Sequence, residues 1–470
     1  MALAFYMAFI PHQSYPYLLH IDEWVHLANS EALLKAGSTA FSDPFFGGSP
    51  GGLSSNLEVG FHLFWGVFHQ ISGISWLTIF RYFPSVILAI TALSVYVLAQ
   101  RWKFGWEAAF FVALIPTTVG ILGPSFLVPV ALGLLFVSLS LFIAFNFNSF
   151  WSYVVLFVFT CFLIIIHAPS AICLVIILIP YILLNLRGNF KHSLGMIVAL
   201  AVPFLAPFPW IFDMLLPTAQ RLFTPQVLPE YVDFPRVIKT YGYFPAGLCL
   251  LGTLVMAMKG GRKNYGLVLG LLVLLAMLVT YFSFHYGLSI MYERGLMFMM
   301  LMVGIVAGAG LMAVKNLHLT EGLAARVGGS SVTRYLGWFF CLVLVGVTLF
   351  TSIPERQNIP YYHMIEEKDY QAFVWIRENV GKEYDRAVLD PWEATPFTAI
   401  TGKKVYTRIH AFPRPSDEEA LEFLNGGCSD TSFLKINGIS IVYTDRECRN
   451  PDLTEVRENV YLLRDAGSNG

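Results

Sequence analysis

Residues 150–186 read FWSYVVLFVFTCFLIIIHAPSAICLVIILIPYILLNL, with no Asp, Glu, Lys or Arg among them. A helix crossing about 30 Å of hydrocarbon needs roughly 20 mostly apolar residues, so this stretch is long enough for two crossings. His167 and Pro169 interrupt it near the middle, which predicts spans at 150–167 and 169–186 joined by a turn. Comparable apolar runs lie outward at 126–146, 106–122 and 78–100, and at 193–212, 241–258, 265–284, 293–314 and 335–353. Met1 to Ile10 is apolar but half the needed length. It lacks the basic start and small-residue cleavage site of a signal peptide and reads as the outer half of a first span. The expected fold is mainly α: a polytopic transmembrane helix bundle of about eleven spans, the first one partial, with a small C-terminal extracytoplasmic α/β domain.

The composition excludes other classes. The 470 residues are 56% hydrophobic and 13% charged, with net charge −1 and mean hydropathy +0.62, whereas an average soluble protein is about 25% charged. A soluble enzyme is excluded for most of the chain. An aromatic content of 15% with low charge excludes disorder, and the lack of a basic run or basic excess argues against a nucleic-acid partner. The charge is divided unevenly, with 27 ionic residues in 1–353 and 34 in 354–470. The first part reads as a transmembrane domain with an outer loop at 12–77, the second as a water-soluble domain.

Loop charge sets the orientation. Arg101, Lys103, Arg187, Lys191, Lys259, Arg262, Lys263, Lys315, Arg326 and Arg334 share alternate loops, with only Glu107 and Glu321 as acidic company. The opposite side holds Asp22, Glu23, Glu31, Asp43, Glu58, Asp213, Glu230, Asp233 and Glu293. This predicts a multi-pass protein of the cell membrane with 12–77, 213–240 and 354–470 outside.

The outer loop 12–77 opens with His20-Ile21-Asp22-Glu23-Trp24-Val25-His26. His26, Asn29 and Leu33 follow at helical spacing, so a short helix is expected over 23–35, ended by Gly37. Asp and Glu at a helix start can be simple cap and dipole acids. Clustered with His20 and His26 at the mouth of a bundle, they also suit general-base work. The same residues could hold a divalent cation, Mg or Mn, although a third acidic ligand is not evident. Asp43 opens a Gly/Pro stretch of turns. Glu58 to Ile71 has an apolar face broken by His62 and His69 and suits a helix lying in the membrane interface, with both imidazoles wet.

An Asp-Glu just after the first helix, a long outer loop with a Gly/Pro turn and interfacial helices, and an outward C-terminal domain together resemble the GT-C superfamily of membrane glycosyltransferases. These include protein mannosyltransferases and the catalytic subunit of oligosaccharyltransferase. The resemblance implies a polyprenyl-phosphate or polyprenyl-diphosphate sugar donor, with Asp22 as catalytic base and Glu23 its neighbour. It also implies that Arg294, in Tyr292-Glu293-Arg294 at the outer end of span 293–314, contacts the donor phosphate. A guanidinium offers a fixed fork of donors to phosphate oxygens; the alternatives are snorkelling to the interface or pairing with Glu293. Further site neighbours by position are His20, His26, Asp43, Glu58, His62 and Glu293, with Arg221 and Arg236 from the loop 213–240.

Two departures bear on the chemistry. The Trp-Trp-Asp signature of oligosaccharyltransferases is absent; the nearest stretch is Asp390-Pro391-Trp392-Glu393-Ala394. The second outer loop, around Gly120 to Ser125, lacks the acid with which those enzymes bind a metal. Both put transfer to Asn in doubt and favour a metal-independent mechanism, with no metal ligands assigned. In the tail, a helix is expected at 369–379, strands at 386–390, 404–408, 439–444 and 460–463, and a capping box at Ser416 to Glu419. Cys428 and Cys448, outside the membrane, could pair.

The expected activity is transfer of a sugar from a polyprenyl-phosphate-linked donor to a glycan, lipid or protein acceptor at the outer face of the membrane. The alternatives are oligosaccharyltransferase-like transfer of a lipid-linked glycan to protein, and a lipid-linked glycan transporter or non-enzymatic membrane protein. Transporters carry charges midway across their spans; here the acids gather at one face, which favours an enzyme.

Overall fold

The computed structural model describes residues 1–51, 58–117, 122–205, 241–287, 289–317, 330–358, 363–410 and 413–464. Arg221, Arg236 and the rest of the loop 213–240 lie outside the described residues, as does Gly120. In chain order the helices of the first part are α1 (Ala2–Phe9), α2 (Ile21–Ala36), α3 (Val59–Ser72), α4 (Trp76–Gln100), α5 (Gly105–Ala113), α6 (Pro129–Asn146), α7 (Phe150–Leu186), α8 (Phe190–Leu205), α9 (Tyr243–Lys259), α10 (Arg262–Phe284), α11 (Ser289–Lys315) and α12 (Ser330–Asn358). There follow α13 (Glu367–Asn379), β1 (Arg386–Val388), α14 (Ala394–Thr401), β2 (Lys404–Val405), α15 (Pro415–Asn425), α16 (Thr431–Ile436), β3 (Ile441–Tyr443), β4 (Leu453–Arg457) and β5 (Val460–Leu463). The chain divides into two compact units: Met1–Ser14 with Phe80–Pro360, and Tyr15–Ile79 with Tyr361–Gly470.

Six helices among the described residues are long and apolar enough to cross a membrane: α4, α6, α7, α10, α11 from Tyr292 and α12 over Tyr335–Pro354. The protein is therefore a multi-pass membrane protein. Within α7 the backbone leaves helical geometry at His167 (φ −165°, ψ 88°), so its two halves are separate helices, as the His167–Pro169 interruption suggests. His167 is buried and its Nδ1 lies 2.6 Å from the Ser170 hydroxyl. The run 106–122 does not form one span. Helix α5 stops at Ala113, and at about 1.5 Å per residue it is far too short to cross. Pro116 lies just beyond, and the residue before a proline resists helical geometry. Helices α9 and α11 touch backbone to backbone: a Cβ on Gly252 would fall 2.0 Å from the Val306 carbonyl oxygen, and one on Gly310 2.0 Å from that of Leu248. Small residues permit this close approach where lipid supplies no hydrophobic drive.

The second unit contains a five-stranded sheet of order β2-β1-β3-β5-β4. The pairs β1–β2 and β1–β3 are parallel, and β3–β5 and β4–β5 antiparallel. Val388, Phe423, Leu424, Leu434, Val442 and Leu463 form part of its core. Cys428 and Cys448 are joined in a disulfide. Strand β4 and helices α14 and α16 carry no clear periodic signal and were not anticipated. Helix α15 starts at Pro415, one residue before the expected box, because proline at the first helical position is pre-set for the helix. Its cap is closed by Asp417, whose carboxylate accepts the Arg414 N–H at 2.9 Å, rather than by Glu419.

Glu393, Asp369, Asp390 and Asp445 share a small cavity of about 180 Å³. Burial, then the charges of Asp369, Asp390 and Asp445, push the Glu393 carboxyl up from 4.5 to about 8, with Lys368 opposing. The folded state holds this proton more tightly than the unfolded chain, so the stability it contributes is full below about pH 4.5 and is lost as pH rises towards 8. Glu393→Gln is expected to raise the melting temperature at pH 8 and leave it unchanged near pH 4, read by circular dichroism of the solubilised protein.

Candidate active site

The N-terminus of α2 is built by its own side chains. His20 is the extended N-cap residue, and its Nδ1 accepts the Asp22 N–H at 3.1 Å. Glu23 reaches back so that Oε2 accepts the N–H groups of Leu19 and His20, at 2.9 and 3.2 Å. This is a reciprocal cap with histidine in the usual Ser or Thr place. At the other end Gly37, with φ +61°, donates its N–H to the Leu33 and Leu34 carbonyls. Glu23, the expected neighbour of the catalytic base, is 0% exposed, and its carboxylate holds the helix start. The Asp22 side chain is 38% exposed, with Oδ2 4.0 Å from His20 Nδ1.

The turn at Asp43 is equally local in origin. Asp43 Oδ1 accepts the N–H of Phe45 at 2.7 Å and of Phe46 at 3.4 Å, and its carbonyl accepts that of Gly47 at 2.8 Å. Gly47 takes φ +76°, which glycine adopts without strain. The turn is fastened to the sheet, because the Val405 N–H donates to the Phe45 carbonyl at 2.9 Å. Phe45 is buried, and the Arg408 guanidinium lies over its ring, 4.5 Å from the centroid.

Arg408 is a candidate site residue that the sequence does not announce. Burial draws its basicity down, the charges of Asp43 and Asp22 raise it, and Arg414 opposes them. Its Nε is buried without a hydrogen-bond partner. His410 Nε2 is in the same condition, and burial, with the charges of Arg408 and Arg414, lowers its pKa to about 4, so the ring is neutral at pH 7. The segment is fixed by the Ile409 N–H, which donates to the Pro391 carbonyl at 2.9 Å and so ties it to Asp390–Ala394. The strand expected at 404–408 ends at Val405, which leaves Arg408 and His410 beyond its carboxyl end. That end of a parallel strand is where α/β sheets present ligand groups, and it is the one signal that could have drawn attention to them.

The imidazoles of His26 and His62 meet, His26 Nδ1 lying 3.0 Å from His62 Nε2, with Glu58 Oε2 3.9 Å from His26 Nδ1. His62 is 2% exposed and burial pushes it down to about 3. Its expected wet position is thus corrected: α3 turns this residue onto α2, where His26 receives it. His69 is partly buried, bonded to the Ile74 carbonyl and stacked on Trp76. Glu293 and Arg294 belong to the other unit, in the opening turns of α11; Glu293 is buried and Tyr292 stacks on Tyr281 at 4.0 Å. Among the described residues no three His, Cys, Asp or Glu side chains converge as metal ligands. Glu23 is engaged by its cap and His26 with His62, so these residues do not fit a divalent cation, and no step is derived through one.

A groove of about 480 Å³ runs beside α2, lined among others by Glu31, Lys35, Asp43, Gly47, Thr398 and Lys404.

No family model matches the sequence, and no curated protein resembles it significantly. Solved structures do. The apo crystal structure of the Archaeoglobus fulgidus oligosaccharyltransferase is similar at TM-score 0.65 and 12% identity, over 94% of this chain and 69% of that one. The archaeal oligosaccharyltransferase AglB from Archaeoglobus fulgidus, in complex with an inhibitory peptide and a dolichol-phosphate, gives TM-score 0.62 and 11% identity over 94% and 69%. The arabinofuranosyltransferase AftD from Mycobacteria gives TM-score 0.59 and 16% identity over 97% of this chain and 37% of that one. The chain has the fold of these GT-C membrane glycosyltransferases.

Removing the Glu23 carboxylate strips two buried N–H groups of their acceptor. Glu23→Ala is expected to cost about 1–3 kcal/mol, visible as a drop in melting temperature. Glu23→Gln keeps one acceptor oxygen and loses less, and Asp22→Asn, at the more exposed position, shifts melting least.

Proposed function

We propose that the protein transfers a sugar from a polyprenyl-phosphate-linked donor to an acceptor hydroxyl at the extracytoplasmic face of the membrane, with Asp22 as general base. One observation carries this reading. Of two adjacent acids at the start of α2, Glu23 is buried in the cap, while Asp22 keeps an accessible carboxylate within the field of the Arg408 guanidinium. The GT-C fold supports it, and the loop charges support the orientation.

Asp22 is the proposed acceptor of the hydroxyl proton, and Arg408 is a cation that interacts with it electrostatically. As the acceptor hydroxyl gives that proton to Asp22, its oxygen bonds to the anomeric carbon from the face opposite the phosphate. The anomeric carbon–oxygen bond breaks, the electron pair leaves on the polyprenyl phosphate, and configuration inverts. The groove lined by Glu31, Lys35 and Lys404 is the proposed path of the acceptor. Arg294 is the proposed ligand of the donor phosphate, supported by its place in the opening turns of a long helix.

A second reading, transfer of a whole lipid-linked glycan to a peptide, is favoured by the peptide and dolichol-phosphate in the archaeal complex. The acceptor separates the two. Protein in nanodiscs, given a polyprenyl-phosphate sugar, is expected to release polyprenyl phosphate with a hydroxylated glycan or lipid acceptor; product formed only on peptide establishes the second reading. Asp22→Asn is expected to lower turnover by about 10²–10⁴ with donor KM unchanged, whereas Arg294→Ala chiefly raises donor KM. Full turnover in Asp22→Asn would remove that residue as the base.

A further inference from the structure

A second polar site lies within the membrane unit and uses none of the residues above. A cavity of about 610 Å³ opens where the ends of α6 and α7 meet the turn between α9 and α10. The basic residues Arg262 and Lys263 line it, in one of the loops whose charges predict the cytoplasmic side.

Asparagines make up an unusual share of its wall. Asn146, Asn185 and Asn264 each donate Nδ2–H to the carbonyl four residues back, Phe142, Tyr181 and Gly260, at 2.9, 2.8 and 2.7 Å. Those bonds fix the amides and leave their Oδ1 atoms as acceptors for another donor. Helix α10 begins here after Gly260 and Gly261, with no side-chain cap, so the N–H groups of its first turn also need an acceptor. The Arg262 guanidinium is seated against the chain: a Cβ on Gly188 would come 1.9 Å from its Nη2. Tyr181, packed on Phe145 at 4.5 Å between centroids, supplies an apolar wall.

Carbonyl acceptors suit hydroxyl groups, while Arg262, Lys263 and an uncapped helix start suit a phosphate. We propose that this cavity binds a phosphorylated polyol, a class shared by inositol- and glycerol-type phospholipid headgroups and by soluble sugar phosphates. Anionic lipids collect basic side chains at a membrane surface, which makes the headgroup an accessible source.

The test uses the full chain in nanodiscs. Wild type is measured against phosphatidylinositol and phosphatidylcholine in the disc, and against soluble inositol 1-phosphate and inorganic phosphate, by native mass spectrometry and calorimetry. Preference for phosphatidylinositol without binding of inositol 1-phosphate assigns a lipid headgroup; binding of inositol 1-phosphate above inorganic phosphate assigns a soluble ligand. Either assignment is expected to weaken by about tenfold or more in Arg262→Gln/Lys263→Gln. Gly188→Ala keeps every charge but displaces the guanidinium, and is expected to weaken binding severalfold, so the proposal stays testable if the double variant does not fold. Equal affinity for all probes, or wild-type affinity in folded Gly188→Ala, would overturn it.

Discussion

A guanidinium withdrawn from water must find negative charge close by, or its burial costs far more than packing returns. Arg408 rests over the Phe45 ring, 4.5 Å from its centroid, and the charges of Asp43 and Asp22 offset part of the cost of its burial. Stretches distant in sequence meet here: the Val405 N–H donates to the Phe45 carbonyl of the Asp43 turn at 2.9 Å, and α2 packs against α14. Tyrosines of the 12–20 stretch make further contacts with the C-terminal residues. The Tyr15 hydroxyl donates to the Ile365 carbonyl at 2.9 Å, Tyr15 stacks on His363 at 4.1 Å, and the Tyr17 hydroxyl donates to Glu367 at 2.5 Å. Residues 15–79 accordingly fold in one compact unit with residues 361–470, and Asp22 is placed by the C-terminal residues as much as by its own helix.

What the sequence reveals follows the range of the forces involved. The six long apolar helices, the break at His167, the stop at Gly37 and the strand at 460–463 rest on neighbours within a few residues, and each lies where the pattern puts it. The end of α5 is also local, but its signal, Pro116, lies inside an apolar run and is masked by it. Asp22 was legible as an acid at a helix start. The role of Glu23 was not, because a histidine caps the helix where the usual pattern asks for Ser or Thr. The burial of His62 depends on a partner ring 36 positions away. Arg408 and His410 were invisible because their surroundings come from the other end of the chain, and a strand-like run of residues gave no hint that the strand stops at Val405.

The adjacency of Asp22 and Glu23 is itself the means of separating structure from chemistry. Successive residues of an α-helix point about 100° apart, so one acid can turn into the cap while its neighbour faces outward. Glu23 reaches back to the N–H groups of both Leu19 and His20. Asp22, with one fewer methylene, keeps its carboxylate close to the first turn of the helix, its side chain 38% exposed. Arg408 divides its attraction between Asp43 and Asp22, and Arg414 weakens its hold on the proton. The start of α2, the Asp43 turn and the segment after β2 contribute Asp22, Asp43 with Phe45, and Arg408 to this cluster.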